Sequence, residues 1–374
     1  MMKKAVLLFT LFYAFNSVNA QEYNTTTVAV PFLLVAADAR SAGMADNGVA
    51  TSADAFSQQW NPAKYAFATD QQGVSLSYTP YLTELVSDIS LGQITYYNKF
   101  NEKSAFAASF RYFGLGGIEL REDYDSPVVI VSPNEFTFDL SYSLKLSEKF
   151  SMAVAGRFIN SNLKVATGNN DASSSSSFAV DIAGFYQSEE IAYNSFNGRW
   201  RGGFNFQNMG PKLSYDNDEL NSNFLPANMK LGGGFDFILD EYNKIGVNLE
   251  VNKLLVPSRD LNGDGAITPE ENVEYKSIGW FPGMAKSFDN FNELTYSLGS
   301  EYVYQDSFSF RAGYFYENPN YGAREFFSMG AGFKYSSVKI DVSYLFSASK
   351  VPNPLENTLR FSLTIDFGEK YENY

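Results

Sequence analysis

The residues with the most specific chemical pattern lie between Asp260 and Glu271. The stretch reads DLNGDGAITPEE and matches the consensus of a calcium-binding loop, D-x-[DN]-x-[DN]-G-x₅-E, at every specified position. Calcium needs such a cluster because it takes about six to eight hard oxygen ligands. The predicted ligands are Asp260, Asn262, Asp264, the carbonyl of Ala266, Thr268 at the water-bridged position, and Glu271 as a bidentate ligand.

The flanks of this motif leave a second interpretation open. A strand pattern precedes it and the sequence shows no helix pattern beside it, whereas helices flank the loop of an EF-hand. The alternative is therefore an acidic turn that binds no metal. A bound calcium ion would be structural, and we expect no other cofactor.

The same connection continues into a tip with the sequence IGWFPGM. Aromatic and methionine side chains at an exposed loop tip suit a contact with another protein. The alternative is that they fold down as a lid over the adjoining structure. The predicted partner-binding residues are Ile278, Trp280, Phe281 and Met284.

The composition argues against an enzyme and against a nucleic-acid-binding protein. The chain has no His and no Cys, so the commonest general base, thiolate chemistry and disulfides are excluded. We find no nucleophile–base pair, phosphate-binding glycine loop or carboxylate pair. The net charge is −14 without a basic cluster, so nucleic acid is not an expected partner.

The N-terminus has the three parts of a secretory signal peptide. Lys3 and Lys4 precede an apolar run over residues 5–15, and Val18-Asn19-Ala20 forms a small-residue cleavage site. We predict a signal peptide over residues 1–20, whose removal takes away two lysines and changes the net charge from −14 to −16. The apolar run is too short for a stable membrane-spanning helix.

From Gly73 onward the sequence alternates between apolar and polar residues. The segment 136–146 is typical: aromatic and leucine residues alternate with Thr, Asp, Ser and Lys. This period of two predicts strands with one apolar face, and we count about fourteen of them. Aromatic residues make up 17% of the chain, as expected for the girdles of an outer-membrane barrel. Since no later stretch reaches 18 apolar residues, the fold class predicted is an all-β transmembrane barrel of about 14 antiparallel strands.

The lengths of the connections support a barrel in the outer membrane. Short connections, such as 101–103 and 336–337, alternate with long ones, such as 115–133 and 257–292. Outer-membrane barrels have short periplasmic turns and longer external loops. The connection 188–198 is longer than this rule predicts.

The polar face of the predicted strands carries charges of both signs. A lumen of one sign would favour an ion-selective pore, whereas mixed charges favour pairing with each other or with a plug. The alternative is a wet lumen with solvated charges. The residues concerned are Arg111, Arg157, Arg201, Arg311 and Arg360, with Asp139, Asp181, Asp236, Glu250, Glu301, Asp341 and Asp366.

The segment before the strands does not alternate and predicts a plug, here called the hatch. Small residues dominate positions 36–67. Its candidate functional residues are Asp38, Arg40, Asp46, Asp54, Asn61 and Pro62. The expected domains are a signal peptide (1–20), an N-terminal hatch in the lumen (21–71), the barrel (72–367) and a short polar tail (368–374).

Two stretches of the hatch carry a family resemblance. Residues 40–55, RSAGMADNGVATSADA, and 60–64, WNPAK, resemble the N-terminal hatch of the PorV family of type IX secretion proteins, which is itself similar to the fatty acid transporter FadL. Relatives often have Gly where this chain has Ala45. The last strand, which alternates and ends in Phe367, also resembles the recognition signal of the bacterial barrel-assembly machinery.

The resemblance implies a function that the residues alone do not. It implies an outer-membrane protein of a Gram-negative, Bacteroidota-type cell that binds secreted cargo through the cargo's C-terminal signal domain. Implied partners are the SprA/Sov-type translocon barrel and a PorU-type sortase and attachment complex. The alternative is a FadL-like channel for a hydrophobic small molecule; an outer-membrane enzyme is a third interpretation for which we find no site.

Overall fold

Fourteen long strands form one closed antiparallel barrel, as the alternation predicted. The computed structural model describes residues 26–82, 88–121, 127–163, 174–215, 222–263, 267–349 and 353–371, so the predicted signal peptide lies outside the described residues. The barrel strands are β1 (Asp70–Pro80), β2 (Ile89–Lys99), β3 (Ser104–Leu115), β6 (Asn134–Ser147), β7 (Phe150–Asn162), β8 (Ser175–Gln187), β10 (Asn197–Met209), β11 (Asn228–Ile238), β12 (Asn243–Leu254), β13 (Leu294–Tyr304), β14 (Phe308–Glu317), β15 (Glu325–Tyr335), β16 (Val338–Ser347) and β17 (Leu359–Lys370). Three short strands lie in the connections: β4 (Ile118–Leu120), β5 (Val129–Val131) and β9 (Ile191–Ala192).

Neighbouring strands pair in chain order around the ring. The first strand pairs with the last, with Leu76 opposite Leu363, so the ladder closes on itself. A closed ladder bonds the backbone N–H and C=O groups of each strand to a neighbour, which is what a chain in hydrocarbon requires.

The alternation sorts the side chains between the lipid and the lumen. In β1, Leu76 and Tyr78 point outward and are about half exposed, while Ser75 and Ser77 are buried on the inner face. The outer surface is consequently a continuous apolar band, which includes Phe110, Phe138, Leu140, Phe178, Leu298, Phe310, Phe327, Phe361 and Phe367. Lipid is the environment in which such a surface is stable.

The two ends of the barrel differ in the length of their connections. Two-residue turns such as Ser336–Ser337 lie at the same end as the start of β1 and the end of β17, where the Tyr371 amide bonds to the Thr69 carbonyl at 2.7 Å. We assign this end to the periplasm. The external end carries the β4–β5 hairpin and a loop with two helices, α3 (Pro269–Ser277) and α4 (Trp280–Lys286), followed by a 3₁₀ turn (Ser287–Asp289).

The hatch fills the barrel lumen, as predicted. It contains α1 (Ala39–Ala42), α2 (Ser57–Trp60) and two 3₁₀ helices, Pro31–Leu34 and Pro62–Phe67. Its residues between positions 36 and 67 are almost all buried, although most of them are small or polar. No helix in the described residues is long and apolar enough to cross a membrane.

The outward orientation of the apolar residues can be tested with single charges. Phe138→Lys and Leu363→Lys place an ammonium group in the middle of the lipid-facing band, and each should destabilise the barrel by roughly 2–4 kcal/mol. Tyr335→Lys is the matched control, because this exposed residue lies beside a periplasmic turn, where the cost falls to about 0–1 kcal/mol. The measurement is urea unfolding in lipid vesicles, followed by heat-modifiable gel mobility. Equal losses at the three positions would contradict the assigned depth.

Candidate functional site: the hatch and the external mouth

The hatch is folded around Asp38 and Trp60. The Asp38 carboxylate caps α1 by accepting a hydrogen bond from the Ser41 amide at 2.8 Å, and it also accepts one from the Trp60 indole at 2.6 Å. A Cβ at Gly48 would lie 2.4 Å from the Trp60 ring, so only glycine allows the chain to pass there. One buried carboxylate thereby links two hatch helices that are far apart in the sequence.

Arg40 makes the strongest connection between the hatch and the barrel wall. Its guanidinium donates to both carboxylate oxygens of Glu301 at 3.1 and 2.8 Å, and to Asp54 at 2.6 Å. The remaining donors reach the Ser52 carbonyl and hydroxyl, so all five N–H groups are bonded. Glu301 is shared with Arg311 of the wall at 2.8 Å. Removing one member of such a buried network typically costs about 3–5 kcal/mol.

Glu250 holds the following turn of the hatch from β12, the strand next to that of Glu301. Its carboxylate accepts the amides of Gly48 and Val49 at 2.8 and 2.9 Å and pairs with Lys230 at 3.3 Å. Lys64 binds the same turn from within the hatch, because its ammonium group donates to the Gly48 carbonyl at 2.8 Å. The turn is thus held by groups of both signs.

Two further predicted residues contact the wall directly. Asp46 pairs with Arg360 of β17 at 3.4 Å. The Asn61 amide donates to the carbonyls of Val49 and of Gly184 in β8, and Pro62 then begins the second 3₁₀ helix. The six predicted hatch residues therefore lie in the lumen, together with Trp60 and Lys64, which the sequence analysis included in the family resemblance but not among the candidate functional residues.

Lumen-facing glycines let the hatch backbone lie directly on the barrel wall. A Cβ at Gly313 would lie 2.4 Å from the Met44 carbonyl carbon, and one at Gly203 would lie 2.3 Å from the Val49 oxygen. A Cβ at Gly299 would lie 2.8 Å from the Met44 carbonyl oxygen, and one at Gly330 would lie 3.2 Å from the Gly43 Cα. In the glycine run at 232–234, a Cβ at Gly232 would lie 2.5 Å from the Val49 side chain and one at Gly234 would lie 3.3 Å from the Ala50 carbonyl oxygen, whereas Gly233 faces outward with nothing within 4 Å.

Ala45 marks the centre of this close contact. Its backbone has a positive φ of 59°, as does that of Asp46. This left-handed region favours glycine, and glycine is the residue that relatives often have where this chain has Ala45.

A second buried charge cluster stiffens the wall itself. Arg157 pairs with Asp139 at 2.5 Å and with Asp181 at 3.1 Å, and it also contacts the Asn208 side chain. Asn208 has a positive φ of 58° at a bulge between β10 and β8. The lumen charges are therefore paired with each other and with the hatch, and the interpretation of a wet lumen with solvated charges is wrong at these positions.

A cavity of about 360 Å³ lies above the hatch at the external mouth. Its lining combines apolar groups, such as Leu34, Trp60 and Leu254, with polar ones. Asn228 is almost completely buried, and both polar atoms of its amide lack a hydrogen-bond partner within the described part of the chain. Unsatisfied buried amides are unusual, so this cavity suits a small amphipathic molecule or ordered water.

The predicted calcium loop leads into a helix, contrary to the sequence-based expectation that no helix adjoins it. Thr268 caps α3, and Glu271 forms the reciprocal bond of a capping box. Bonds from the Thr268 amide and hydroxyl lower the pKa of Glu271 below its usual range. The helix was missed because its sequence, PEENVEYKS, is mostly polar and has no continuous apolar stripe. Asp264 and Ala266 lie outside the described residues, and within those described no group of three acidic side chains is arranged to hold a metal ion.

The structure divides the predicted partner-binding residues into two groups. Ile278 is buried against Phe224 and Tyr275, so it supports the loop from below, and Met284 is half-buried. Trp280 and Phe281 project outward, with 36% and 65% of their surface exposed. Two more exposed aromatic residues, Phe288 and Phe291, follow in the same loop and escaped the sequence analysis because they lie beyond the recognised motif. We call residues 280–291 the external aromatic segment.

Comparison with known proteins supports one family and one fold. The family model described as "Type IX secretion system protein PorV" matches residues 18–260. The P. putida toluene transporter TodX has a similar structure, with a TM-score of 0.51 and 10% identity over 87% of this chain and 97% of that one. A Pseudomonas aeruginosa FadL homologue is 14% identical over 89% of this chain and 98% of that one, with a TM-score of 0.45. No curated protein matches the sequence.

The glycine contacts make the hatch sensitive to one added side chain. Gly313→Val should displace the turn at Met44–Ala45, whereas Gly233→Val is a matched control that faces open space. Because the chain lacks Cys, Ser57→Cys provides a single thiol at a position that is completely buried in the hatch. We expect maleimide labelling of this thiol to become fast with Gly313→Val and to stay slow with Gly233→Val. Slow labelling in both backgrounds would mean that the hatch does not depend on this contact.

Proposed function

We propose that this chain, which belongs to the PorV family of type IX secretion system proteins, binds secreted proteins at the external mouth of its outer-membrane barrel. It would receive them from the translocon and pass them to the surface attachment complex. One observation carries the proposal: the lumen is filled by a hatch fixed through buried ion pairs, while four aromatic side chains project from the external loop.

The filled lumen favours a binding protein over an open channel. The hatch is attached by Arg40, by Glu250 and by direct backbone contact with glycines, so passage of a solute would require several buried polar contacts to break together. Such contacts are costly to break one at a time. The proposed function therefore uses the barrel as a rigid support for its external surface and requires no catalytic residue.

The external aromatic segment has the composition of a protein-binding surface. Aromatic and methionine residues are enriched at the cores of such interfaces, and aromatic anchors commonly dominate the binding energy. The segment is also well supported. Phe224 and Tyr275 pack edge to face beneath it, and a Cβ at Gly283 would lie 2.7 Å from the Phe224 ring. A pre-organised loop loses less conformational entropy on binding.

The proposed partners follow from the family. They are the C-terminal signal domain of secreted cargo, an SprA/Sov-type translocon barrel and a PorU-type attachment complex. We assign cargo to the external aromatic segment because it lies at the external end of the barrel. The lateral apolar band remains available for contacts within the membrane.

The cavity above the hatch favours a second candidate function. A FadL-like protein that takes up a hydrophobic small molecule would need an external binding cavity, and the 360 Å³ space beside Leu34 and Asn228 meets that requirement. Mass spectrometry of the protein purified from native membranes separates the candidates. Stoichiometric bound lipid without protein partners favours the second, whereas co-purified cargo and a large barrel favour the first.

Aromatic truncation tests the proposed cargo surface. Trp280→Ala and Phe281→Ala should each weaken binding of a purified type IX signal domain, by about thirtyfold if the residue is a binding hot spot. Tyr242→Ala is the matched control, because this exposed aromatic residue lies on a periplasmic turn. The affinity is measured by surface plasmon resonance on barrels in lipid nanodiscs. Unchanged affinity in both variants would contradict the assignment.

We also propose that the acidic loop binds calcium and so orders the external aromatic segment. Wild-type protein should bind calcium with a dissociation constant of about 10⁻⁴–10⁻³ M, as external sites of this type do. Glu271→Gln should weaken that binding while leaving α3 intact, because glutamine preserves a capping box. Glu274→Gln, which removes a carboxylate paired with Lys286 rather than one in the motif, is the control. The measurement is isothermal titration with calcium. If the wild type binds no calcium, or if Glu271→Gln binds it as tightly as the wild type, the proposal is wrong and the loop is an acidic turn without metal.

A further inference from the structure

A second pocket lies at the periplasmic end of the barrel, on the far side of the hatch from the external aromatic segment. Its volume is about 440 Å³. Phe67, at the end of the hatch, forms part of its wall, and the ends of β2, β6 and β17 form its rim. We call it the lysine pocket, because its lining includes Lys99, Lys103, Lys145 and Lys370.

Within the described part of the chain, none of the four ammonium groups of this pocket lies in an ion pair, although Glu102 and Glu148 also line the pocket. Lys99 is the most unusual, since only 1% of its surface is exposed. Its ammonium group donates to the Ala68 carbonyl at 2.9 Å and lies 4.5 Å from the centre of the Tyr371 ring.

Some buried cations of this protein, such as Arg111, Lys64 and Lys253, donate to backbone carbonyls as Lys99 does, whereas others pair with carboxylates. Arg40, Arg157 and Arg311 of the lumen each pair with at least one carboxylate within 3.1 Å. Buried lysines without a charged partner are rare, because desolvation of the ammonium group is left without a compensating charge. In a chain with a net charge of −14, four lysines around one cavity, none of them ion-paired among the described residues, point to an anionic ligand.

The location of the lysines indicates which anion could reach them. Lys99 contacts Ala68, and Lys145 lies 4.4 Å from the centre of the Phe67 ring, so both face the end of the hatch inside the barrel rather than the surrounding lipid. The cations come from four separate positions on the rim, and two glutamates lie among them. Positive charges that are spread around the rim, with glutamates between them, match several carboxylates along a chain better than they match one phosphate group.

We propose that the lysine pocket binds an acidic segment of a polypeptide that approaches from the periplasm. The hatch closes the pocket at its inner end, so the segment docks there without passing through the barrel. This inference depends on the orientation of an outer-membrane barrel and is independent of the proposed cargo surface. It adds a periplasmic contact to a protein whose other proposed contacts are external.

The test uses the full-length protein in lipid nanodiscs, which expose both ends of the barrel. The probe is a fluorescein-labelled peptide of alternating Glu and Gly, and its counterpart with Gln in place of Glu is the uncharged control. Fluorescence anisotropy should detect binding of the Glu peptide only, and the binding should weaken as salt is added. Lys103→Gln combined with Lys145→Gln should lower the affinity by at least about tenfold, because each substitution removes a charge-assisted contact.

Matched variants separate the pocket from general electrostatics and from misfolding. Lys244→Gln removes a lysine from another periplasmic turn, where it already pairs with Asp306 at 3.0 Å, and should leave the affinity unchanged. Lys103→Gln alone changes an exposed side chain and keeps the test valid if the double variant fails to assemble. Heat-modifiable mobility checks assembly of each variant.

Four results would overturn the proposal. The first two are equal binding of the Glu and Gln peptides and unchanged affinity in the lysine variants. The third is displacement of the Glu peptide by inorganic phosphate at matched ionic strength, which would indicate a small-anion site. The fourth is binding of the Glu peptide to the Glu372→Gln variant but not to the wild type. Glu372 lies outside the described part of the chain, and this result would mean that the protein's own C-terminal tail occupies the pocket.

Discussion

The closed ladder of backbone hydrogen bonds is the constraint on which the rest of this structure depends. In hydrocarbon an unpaired N–H or C=O group costs several kcal/mol, so a sheet that crosses the membrane must close on itself, as this one does. Closure turns one face of each strand toward lipid and the other toward a lumen. The apolar exterior and the polar interior are two consequences of the same alternation.

The lumen of the closed barrel is filled by the chain's own N-terminal segment, the hatch. The hatch is rich in small residues and buries a few large ones, such as Trp60 and Tyr65. It is also held by buried ion pairs, such as that of Arg40 with Glu301, and by close backbone contact at glycines such as Gly313. Buried charges stabilise only with nearly complete partners, so this mode of filling specifies one position of the hatch.

With the lumen closed, the two ends of the barrel become separate surfaces. The external end carries aromatic side chains on a supported loop, and the periplasmic end carries a pocket lined by lysines that form no ion pair with any residue that the structure describes. These surfaces suit different partners, since apolar anchors provide affinity and unpaired charges provide steering and selectivity. A membrane protein of the type IX secretion system could in this way contact components on both sides of the outer membrane.

The barrel was evident in the sequence because alternation is a local property with a period of two residues. The same is true of the sorted connections, the mixed charges of the inner face and the small-residue hatch. Which charges pair was decided only by the tertiary structure: Arg40 and Glu301 lie 261 residues apart and meet through the stagger of the strands and the path of the hatch. Local patterns likewise could not show that Ile278 turns inward while Phe291 turns outward, because both are apolar residues of one loop. The lysine pocket is also a product of closure, since it combines residues near positions 67, 99, 145 and 370 that share no sequence motif.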